Sequence, residues 1–405
     1  MRIDNILKEV LAEIKPEHEK IPEADAFLKK LNLQLKKHKV NAVAVPGGSY
    51  AKNTWLKGDY DIDLFVRFDV KHSDDALSDI LEKVLKQFKP ERIHGSRDYF
   101  HVKNDIKYEI IPVLNLKKSS DAHNVTDFSP LHVAWVNKKA KKLTDDIRLF
   151  KKFCKSQKVY GAESYIKGFS GHVVDIIIIY YGGFLKALKA ISKWTPKTII
   201  DPEKAHKHNP ELVLNKSKTY GPLIIIDPVQ PDRNSAAAIT EEKYFTIIKS
   251  AKEFLKSPSK KFFEEQKANV EKLKIKGAVI VEAESLKEKE DIAGTKILKG
   301  FEHLMKTLEE FKPNGGWEWD KKSKALLWFI PKIKKLPNKE VRQGPPIKMT
   351  IHVDRFKKKY RKTFIKDGRI CVELERKNPV FEDALKESLK EAYLKDKFKT
   401  KKVTK

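Results

Sequence analysis

The chain has 405 residues, of which 40% are hydrophobic and 35% charged, so it can form two or three domains with cores of their own. This composition excludes a disordered chain and a bundle of membrane helices. Lysine and arginine number 84 against 56 aspartate and glutamate, a net charge of +28, which predicts an anionic partner such as RNA, DNA, nucleotides or an acidic membrane surface. A lysine surplus can also serve solubility alone.

The cysteines and the apolar segments indicate a cytoplasmic protein. Cys154 and Cys371 are too far apart for a zinc motif or a disulfide framework, so two reduced thiols are expected. The N-terminal segment carries acidic residues among its apolar ones and lacks the apolar core of a signal peptide. The longest apolar stretch, 176–185, is about half the roughly 20 residues that a membrane span needs, so no membrane contact is predicted.

The first 140 residues mix helical and extended patterns. Apolar spacing predicts amphipathic helices over 4–14, 22–38 and 75–88, and a further helix over 50–57 that Ser49 would cap. Alternating residues predict strands over 41–46, 59–69, 99–102 and 107–113, with a hairpin turn at Asn104-Asp105.

The remainder divides into a mainly helical region, 141–265, and a mixed region, 266–405. Helices are predicted over 143–156, 162–168, 171–190, 240–256, 292–311 and 381–395, and strands over 222–229, 276–285 and 323–331. The lysine-rich end, 395–405, is predicted to be a solvated or RNA-contacting tail. The expected fold class is therefore α+β with several domains: a sheet with helices in 1–140, a helical domain in 141–265 and an α+β domain in 266–405.

One group of residues in the first region indicates a chemistry. Asp61 and Asp63 are two positions apart on a predicted strand, so their carboxylates share a face and repel each other unless a divalent cation such as Mg²⁺ lies between them. Gly47-Gly48-Ser49 opens a predicted helix twelve residues earlier and offers N–H groups and a hydroxyl to a phosphate. A phosphate cradle beside metal-binding carboxylates predicts two-metal nucleotidyl transfer.

Two more side chains belong to this prediction. Lys52, one turn after Ser49, adds positive charge for a phosphate, and Glu109 is the best candidate for a third carboxylate because it is an acid within an apolar strand. Each signal has an ordinary structural explanation when taken alone: an aspartate pair at a solvated strand edge, a simple glycine turn, a glutamate paired with a lysine. Their joint spacing is what favours function.

The segment GGSYAKNTWLKGDYDIDLFVRF resembles the class I, archaeal-type CCA-adding enzymes, the tRNA nucleotidyltransferases of the polymerase-β-like superfamily. Further blocks of that family follow in order, SPLHVAWV, RLFKKFCKSQKVYGAES, GFSGHVVDIIIIYYGGF, IIIDPVQPDRNSAAA and RQGPP with HVDRF and DGR. The resemblance covers most of the chain. It implies a polymerase-β-like N-terminal nucleotidyltransferase sheet, a central nucleotide-recognition domain and a C-terminal tRNA-binding domain.

The resemblance also implies roles for individual residues. Asp61, Asp63 and Glu109 would be the catalytic, metal-binding carboxylates, although the third is Glu where Asp is expected, and Gly48 and Ser49 would hold the triphosphate. By this similarity, His132 and Lys151 would face the phosphates of the incoming nucleotide, Tyr160 its sugar and triphosphate, and Arg233 its base; Lys52 joins these nucleotide-binding positions on account of its charge. Without the family, His132 could lie in an idle loop, Lys151 on the surface, Tyr160 in the core, and Arg233 could pair with Asp227 or Asp232. A planar guanidinium such as that of Arg233 can donate to cytosine or adenine but meets donors on U and G.

The expected activity is therefore untemplated addition of C, C and A to tRNA from CTP and ATP with Mg²⁺, in the cytoplasm, with a homodimer suggested by the family. The basic surface, including 355–362, would follow the phosphate backbone of the acceptor stem. The alternatives are another polymerase-β-like enzyme, such as a poly(A) polymerase or an oligoadenylate or second-messenger synthase, and a non-catalytic RNA-binding module. The block DPVQPDRN and the C-terminal RQGPP argue against the first, and the intact acids against the second.

Overall fold

The computed structural model describes residues 3–18, 21–59, 61–74, 76–103, 106–116, 121–122, 124–206, 211 and 214–405. The chain forms two compact units, Met1–Gln266 and Lys267–Lys405. Among the described residues no helix combines the length and the apolar character needed to cross a bilayer. The predicted hairpin turn at Asn104-Asp105 lies outside the described residues, and the boundaries at 140 and 265 stay predictions.

The first unit contains a five-stranded sheet of order β1-β2-β5-β4-β3. Strands β2 and β5 run parallel and the other pairs antiparallel. Two amphipathic helices, α2 (Pro22–Lys37) and α4 (Ala76–Leu85), contribute buried apolar residues to one core with this sheet. The strands are β1 (Ala42–Pro46), β2 (Asp61–Phe68), β3 (Glu91–Ile93), β4 (Tyr99–Lys103) and β5 (Lys107–Leu114).

The second core of this unit is mainly helical and includes the first helix of the chain, α1 (Ile3–Ile14), whose buried residues Ile6, Val10 and Ile14 pack there. The other helices that bear residues of this core are α5 (Ser129–Lys139), α6 (Thr144–Ser156), α7 (Gly171–Tyr181), α8 (Phe184–Ile191) and α10 (Glu241–Lys256). A short helix, α9 (Lys216–Thr219), and two parallel strands, β6 (Thr198–Ile200) and β7 (Leu223–Ile225), complete the unit.

Three of the predicted helices are wrong as drawn, and one of them, 381–395, is divided by a turn at 389–391. The prediction over 171–190 is interrupted because Gly182 and Gly183 have φ of 72° and 127°, and the N–H of Phe184 restarts the helix by donating to Asp146 at 2.7 Å. Residues 162–168 form a turn, since the N–H of Gly161 donates to the Phe169 carbonyl and closes the segment as a loop.

Two further predicted elements are shorter than expected. The helix predicted over 50–57 is a single turn, α3 (Gly48–Ala51), which ends before Asn53 at a φ of 52°. The strand predicted over 222–229 stops at Ile225, because the Asp227 side chain accepts the N–H groups of Val229 and Gln230 and turns the chain.

The second unit contains a four-stranded sheet of order β14-β8-β10-β9 and a three-stranded sheet of order β11-β13-β12. The predicted tail is wrong: residues 398–404 form an edge strand that pairs with β8, and Phe398 is buried in the core of this unit. The strands are β8 (Val279–Ser285), β9 (Pro313–Trp319), β10 (Lys324–Pro331), β11 (Lys339–Pro346), β12 (Thr363–Lys366), β13 (Arg369–Glu375) and β14 (Phe398–Thr404). The helices are α11 (Val270–Ile275), α12 (Glu290–Thr307), α13 (Thr350–Lys359), α14 (Phe381–Ser388) and α15 (Ala392–Lys395), and the α+β fold class is confirmed.

Candidate active site

Strands β2 and β5 place three acidic residues on one face of the first sheet. In their parallel register Asp63 lies opposite Glu109 and Asp61 lies opposite Lys107. Positions two apart on a strand point to the same side, so the three carboxylates share that side. The pairing of these two strands therefore brings together acids that are 46 and 48 positions apart in the sequence.

The three carboxylates have different surroundings. The side chain of Asp61 is 75% exposed with the Lys107 ammonium 3.6 Å away, and that of Glu109 is 33% exposed with His101 Nε2 at 3.4 Å. Burial, the charge of Glu109 and, more weakly, that of Asp61 raise the pKa of Asp63 to about 7, while Lys52 opposes them. A crowded carboxylate with raised pKa fits a site for a divalent cation, because a bound cation would replace the missing counter-charge.

The Gly-Gly-Ser turn covers Asp63 directly. The N–H of Gly47 donates to the Asp63 carbonyl at 2.8 Å, and Gly48 has a φ of 49°. A β-carbon on Gly47 would lie 2.8 Å from the ring of Phe65, and one on Gly48 would overlap the Asp63 carboxylate. Glycine is thus required at both positions, and the backbone before Ser49 is held against the acidic side chains.

Lys52 lies one turn further on and is largely buried. Its ammonium is 2.6 Å from Oδ2 of Asp175 on α7, and the two side chains are 11% and 1% exposed. Its charge also acts on Asp63 and on His172, so the acidic residues of the sheet and the histidines of the helical part share one electrostatic environment. Lys52 is therefore a fixed positive charge beside the carboxylates.

Lys151 is buried on α6, where only 4% of the residue is exposed, and is not a surface cation. Its ammonium donates to the carbonyl of Thr54 at 3.0 Å. Burial lowers its pKa to about 8, against the charge of Asp175, and the charges of Lys52 and Lys155 lower it further. An amine held there gains from an anionic ligand, which would offset its neighbouring charges.

Tyr160 packs against the helical core, where the charge of Asp175 acts on its hydroxyl. Its hydroxyl is near Gly171, where a β-carbon would lie 3.1 Å from it, and the Lys155 ammonium is 5.5 Å from its ring centre. Burial raises the pKa of this hydroxyl, so Tyr160 is a neutral donor at physiological pH.

His132 and Arg233 meet at Asp227, although 101 positions separate them in the sequence. His132 is on helix α5, and its Nε2 is 2.8 Å from Oδ1 of Asp227, whereas the Arg233 guanidinium is 3.9 Å from Oδ2. Asp232, the other partner considered for Arg233, is bound to Lys218 at 3.2 Å. His172 joins the group, with its ring centre 4.1 Å from that of His132.

The structure shows two clusters: the acids with Gly48, Ser49 and Lys52, and the group around Asp227. Within the described part of the chain, only His132, His172 and Asp227 place three potential metal-ligating atoms within 4.8 Å of one another. The oxygens of Asp61, Asp63 and Glu109 are spread more widely than that.

Sequence reasoning missed Asp175 and His172, and considered Asp227 only as a possible partner of Arg233. Asp175 is an acid within the apolar run HVVDIIIIYY, the same signal that singled out Glu109. Asp227 follows the apolar run LIII in the same way. Nothing local marks His172, whose neighbours come from distant parts of the chain.

Sequence profiles of three families match this chain. They are described as a nucleotidyltransferase domain over residues 28–193, a second domain of tRNA nucleotidyltransferase over 145–264 and the C-terminal domain of CCA-adding enzyme over 278–396. Together these matches extend from the first sheet into the second unit.

Curated relatives agree with the profiles. A CCA-adding enzyme of Nanoarchaeum equitans is 38% identical over 80% of this chain and 81% of its own length. Those of Methanosarcina mazei and Methanocaldococcus jannaschii are 30% and 29% identical over 94% and 93% of this chain, and 84% and 88% of their own.

Solved structures extend the likeness of fold to more distant proteins. A cytoplasmic RNA terminal U-transferase matches 66% of this chain and 99% of its own with a TM-score of 0.53, and the Cid1 poly(U) polymerase matches 65% and 98% with 0.54. Both are 16% identical to this chain, so they show a shared nucleotidyltransferase architecture and nothing finer.

Proposed function

Because this chain belongs to the family of CCA-adding enzymes, we infer that it adds C, C and A to the 3′ end of tRNA from CTP and ATP. It is a tRNA nucleotidyltransferase. The register of β2 and β5 is the structural observation in this chain that supports the function. It places Asp63 opposite Glu109 beneath the Gly48 turn. No nucleic-acid template is required, since the protein supplies the contacts to the base.

Asp61, Asp63 and Glu109 are the catalytic carboxylates of the proposal and the ligands of Mg²⁺. The raised pKa of Asp63 supports this assignment, because burial and the charge of Glu109 disfavour the ionised carboxylate and a bound cation would favour it. The three carboxylates would hold divalent ions, which would lower the pKa of the attacking 3′ hydroxyl and offset the charge of the triphosphate and of the leaving pyrophosphate. Glu109 also contacts His101 at 3.4 Å, which holds its longer side chain in place.

The triphosphate is held, in this proposal, by Gly48, Ser49, Lys52, Lys151 and Tyr160. Ser49 offers a hydroxyl and the turn its N–H groups, and the two buried ammonium groups supply positive charge without competition from bulk water. Tyr160 donates its hydroxyl towards the sugar and the phosphates.

The base is recognised by Arg233, and His132, which shares the Asp227 carboxylate with it, faces the phosphates of the same nucleotide. The guanidinium is 43% exposed, so it is open to a ligand while its carboxylate neighbour Asp227 is fully buried. Arg233 donates to the acceptor atoms of cytosine and adenine, and the donors that U and G present at the same edge exclude them.

The tRNA is bound through its phosphates, and the second unit offers a surface suited to them. A cleft of about 510 Å³ is lined there by basic and aromatic side chains, among them Arg342, Lys359, Tyr360 and Arg369. The assignment of 1–140 to catalysis, 141–265 to nucleotide recognition and 266–405 to tRNA binding is part of this proposal. So are a homodimer and a cytoplasmic location, both supported by the family.

The competing function, another polymerase-β-like transferase, is not favoured, because such enzymes do not explain the match of residues 278–396 to the C-terminal domain of CCA-adding enzymes. The decisive experiment supplies purified protein with tRNA lacking its terminal CCA, labelled CTP or ATP, and Mg²⁺ or chelator. We expect two C and one A to be added only with the metal. Long homopolymeric tails, or no incorporation at all, would refute the function, and light scattering measures the oligomeric state.

A further inference from the structure

Asp227 holds together the part of the site that contacts the nucleotide, and its side chain is completely buried. Its Oδ1 accepts from His132 Nε2 at 2.8 Å and from the N–H groups of Val229 and Gln230 at 3.0 and 3.1 Å. Its Oδ2 accepts from the hydroxyl of Ser235 at 2.9 Å. One carboxylate thus fixes a helix, a turn and the segment that follows.

The same residue also fixes the segment that carries Arg233. The N–H of Asp227 donates to the Arg233 carbonyl at 3.0 Å, and the Arg233 guanidinium lies 3.9 Å from Oδ2. The loop from 227 to 233 is therefore closed through its backbone, and Asp227 fixes the backbone position from which the Arg233 side chain extends.

We propose that Asp227 is a positioning residue for nucleotide selection: its buried carboxylate orients Arg233 towards the incoming base and His132 towards the phosphates of the same nucleotide. The proposal rests on the nucleotide-binding roles proposed above for those two residues. An ionised carboxylate only accepts hydrogen bonds, so Nε2 of His132 must carry the hydrogen, and Nδ1 is the nitrogen left for a ligand.

The charges around Asp227 agree with this role. Burial opposes its ionisation, but the hydrogen bond and charge of His132 and the hydrogen bond from the Val229 N–H hold its pKa below the usual range. Burial and the charge of His132 keep the pKa of His172 well below its ordinary value despite Asp227, and Lys52 and Arg233 lower it further. His172 is accordingly a neutral ring that packs against His132 and edge-on to Trp135, restricting the rotation of His132.

A metal centre is the other assignment that these atoms allow. His132, His172 and Asp227 are close enough to ligate one ion, and both ring nitrogens of His172 are buried without a hydrogen-bond partner among the described residues. Two observations argue against a metal ion. Oδ1 of Asp227 already accepts three hydrogen bonds, and the positive charges of Lys52 and Arg233 act on His172, where they would repel a cation. We therefore favour the positioning role.

The test compares Asp227→Asn with Asp232→Asn, which removes the same charge from an exposed position of the same loop. Thermal unfolding first establishes that both variants fold. Steady-state incorporation on tRNA lacking its CCA end then measures KM for CTP and ATP, and the ratio of UTP to CTP incorporation measures selection. We expect Asp227→Asn to raise KM roughly 10–100-fold and to increase misincorporation, with Asp232→Asn close to wild type.

A double-mutant comparison separates positioning from general damage. If Asp227 acts through Arg233, adding Asp227→Asn to Arg233→Ala should change the UTP to CTP ratio by less than about threefold. Independent, multiplying effects would overturn the proposal, and so would wild-type selection by folded Asp227→Asn. Stoichiometric Zn²⁺ binding by the wild type that His172→Phe abolishes would also overturn it, in favour of a metal centre. Failure of the wild type to add C and A would instead refute the proposed function.

Discussion

A β-carbon on Gly48 would lie 1.6 Å from Oδ2 of Asp63. The two residues are fifteen positions apart and are brought together by the antiparallel pairing of β1 and β2. The backbone at Gly48 also has a φ of 49°, which residues with side chains rarely adopt. The close approach leaves no room for any side chain between the Gly-Gly-Ser turn and the Asp63 carboxylate.

Gly48→Ala should therefore abolish nucleotide transfer, because the added methyl group displaces either the Asp63 carboxylate or the turn. We expect at least a 100-fold loss of kcat/KM for CTP, with tRNA binding nearly unchanged in a filter-binding assay.

Gly58→Ala is its matched control, since Gly58 also has a positive φ, 89°, but has no atom within 4 Å of its β-position. Gly58→Ala should lose on the order of 1 kcal/mol of folding free energy through backbone strain and should retain activity. Equal activity of the two variants would show that the contact with Asp63 is unimportant.

The second prediction concerns Asp63 and pH. Its pKa rises from 3.8 to about 7 on folding, so the carboxyl favours the folded state at low pH and this contribution is lost as the pH rises through 7. Without divalent ions, Asp63→Asn should be more stable than wild type at pH 8, by on the order of 1–4 kcal/mol, and equally stable near pH 4. Thermal unfolding across this range measures the difference.

Asp61→Asn provides the contrast, because the Asp61 side chain is 75% exposed. It should leave the pH dependence of unfolding almost unchanged, while both substitutions should eliminate Mg²⁺-dependent transfer. Added Mg²⁺ should stabilise the wild type and not Asp63→Asn. A stability difference that does not vary with pH would contradict the raised pKa.

The acids and their strands could be predicted from the sequence because strand periodicity and Asp61-Ile62-Asp63 are local signals. Which strand lies beside β2 is not local, so the alignment of Asp63 with Glu109 needed the structure. The break between α7 and α8 has a local signal, Gly182-Gly183, that did not suffice. The apolar residues continue on both sides of the two glycines, so the pattern does not show whether the helix continues across them. The meeting of His132 with Asp227, 95 positions apart, had no local signal at all.

The third prediction tests Lys151. Lys151→Met keeps the apolar stem and removes the charge, and should raise KM for CTP and ATP roughly 10–100-fold. In the wild type, kcat/KM should fall as the pH rises through about 8, because the ammonium then loses its proton. Lys152→Met is the control, since Lys152 binds Glu265 at 3.3 Å on the outside of the helix. Equal KM values for the two variants would exclude Lys151 from the phosphate site.

The fourth prediction concerns selection of the base. Arg233→Ala should increase incorporation of UMP and GMP relative to CMP and AMP. Arg233→Lys should retain only part of the wild-type selectivity, because an ammonium lacks the planar pair of donors. Competition between labelled nucleotides on tRNA lacking its CCA end measures the ratios. Selectivity unchanged in both variants would remove Arg233 from base recognition.

The fifth prediction separates tRNA binding from nucleotide selection by salt. The logarithm of the tRNA association constant should fall steeply with the logarithm of salt concentration, and Arg369→Ala should make that slope shallower by about one unit if Arg369 contacts a phosphate. The ratio of CMP to UMP incorporation should stay constant over the same range. If selectivity fell together with tRNA binding, the prediction that separate contacts serve tRNA binding and nucleotide selection would be wrong.

The position of α1 has a consequence for how the first unit folds. This helix packs its buried side within the helical core. At the surface beside it, Lys15 bonds to Asp145 at 2.9 Å, 130 positions later, and Glu13 pairs with Lys260, 247 positions later. Contacts of such separation require closure of very long loops and form slowly. The sheet of 42–114 can assemble from nearer segments, so we expect α1 to dock in the last stage of folding. Substitutions at Val10 should then accelerate unfolding far more than they slow refolding.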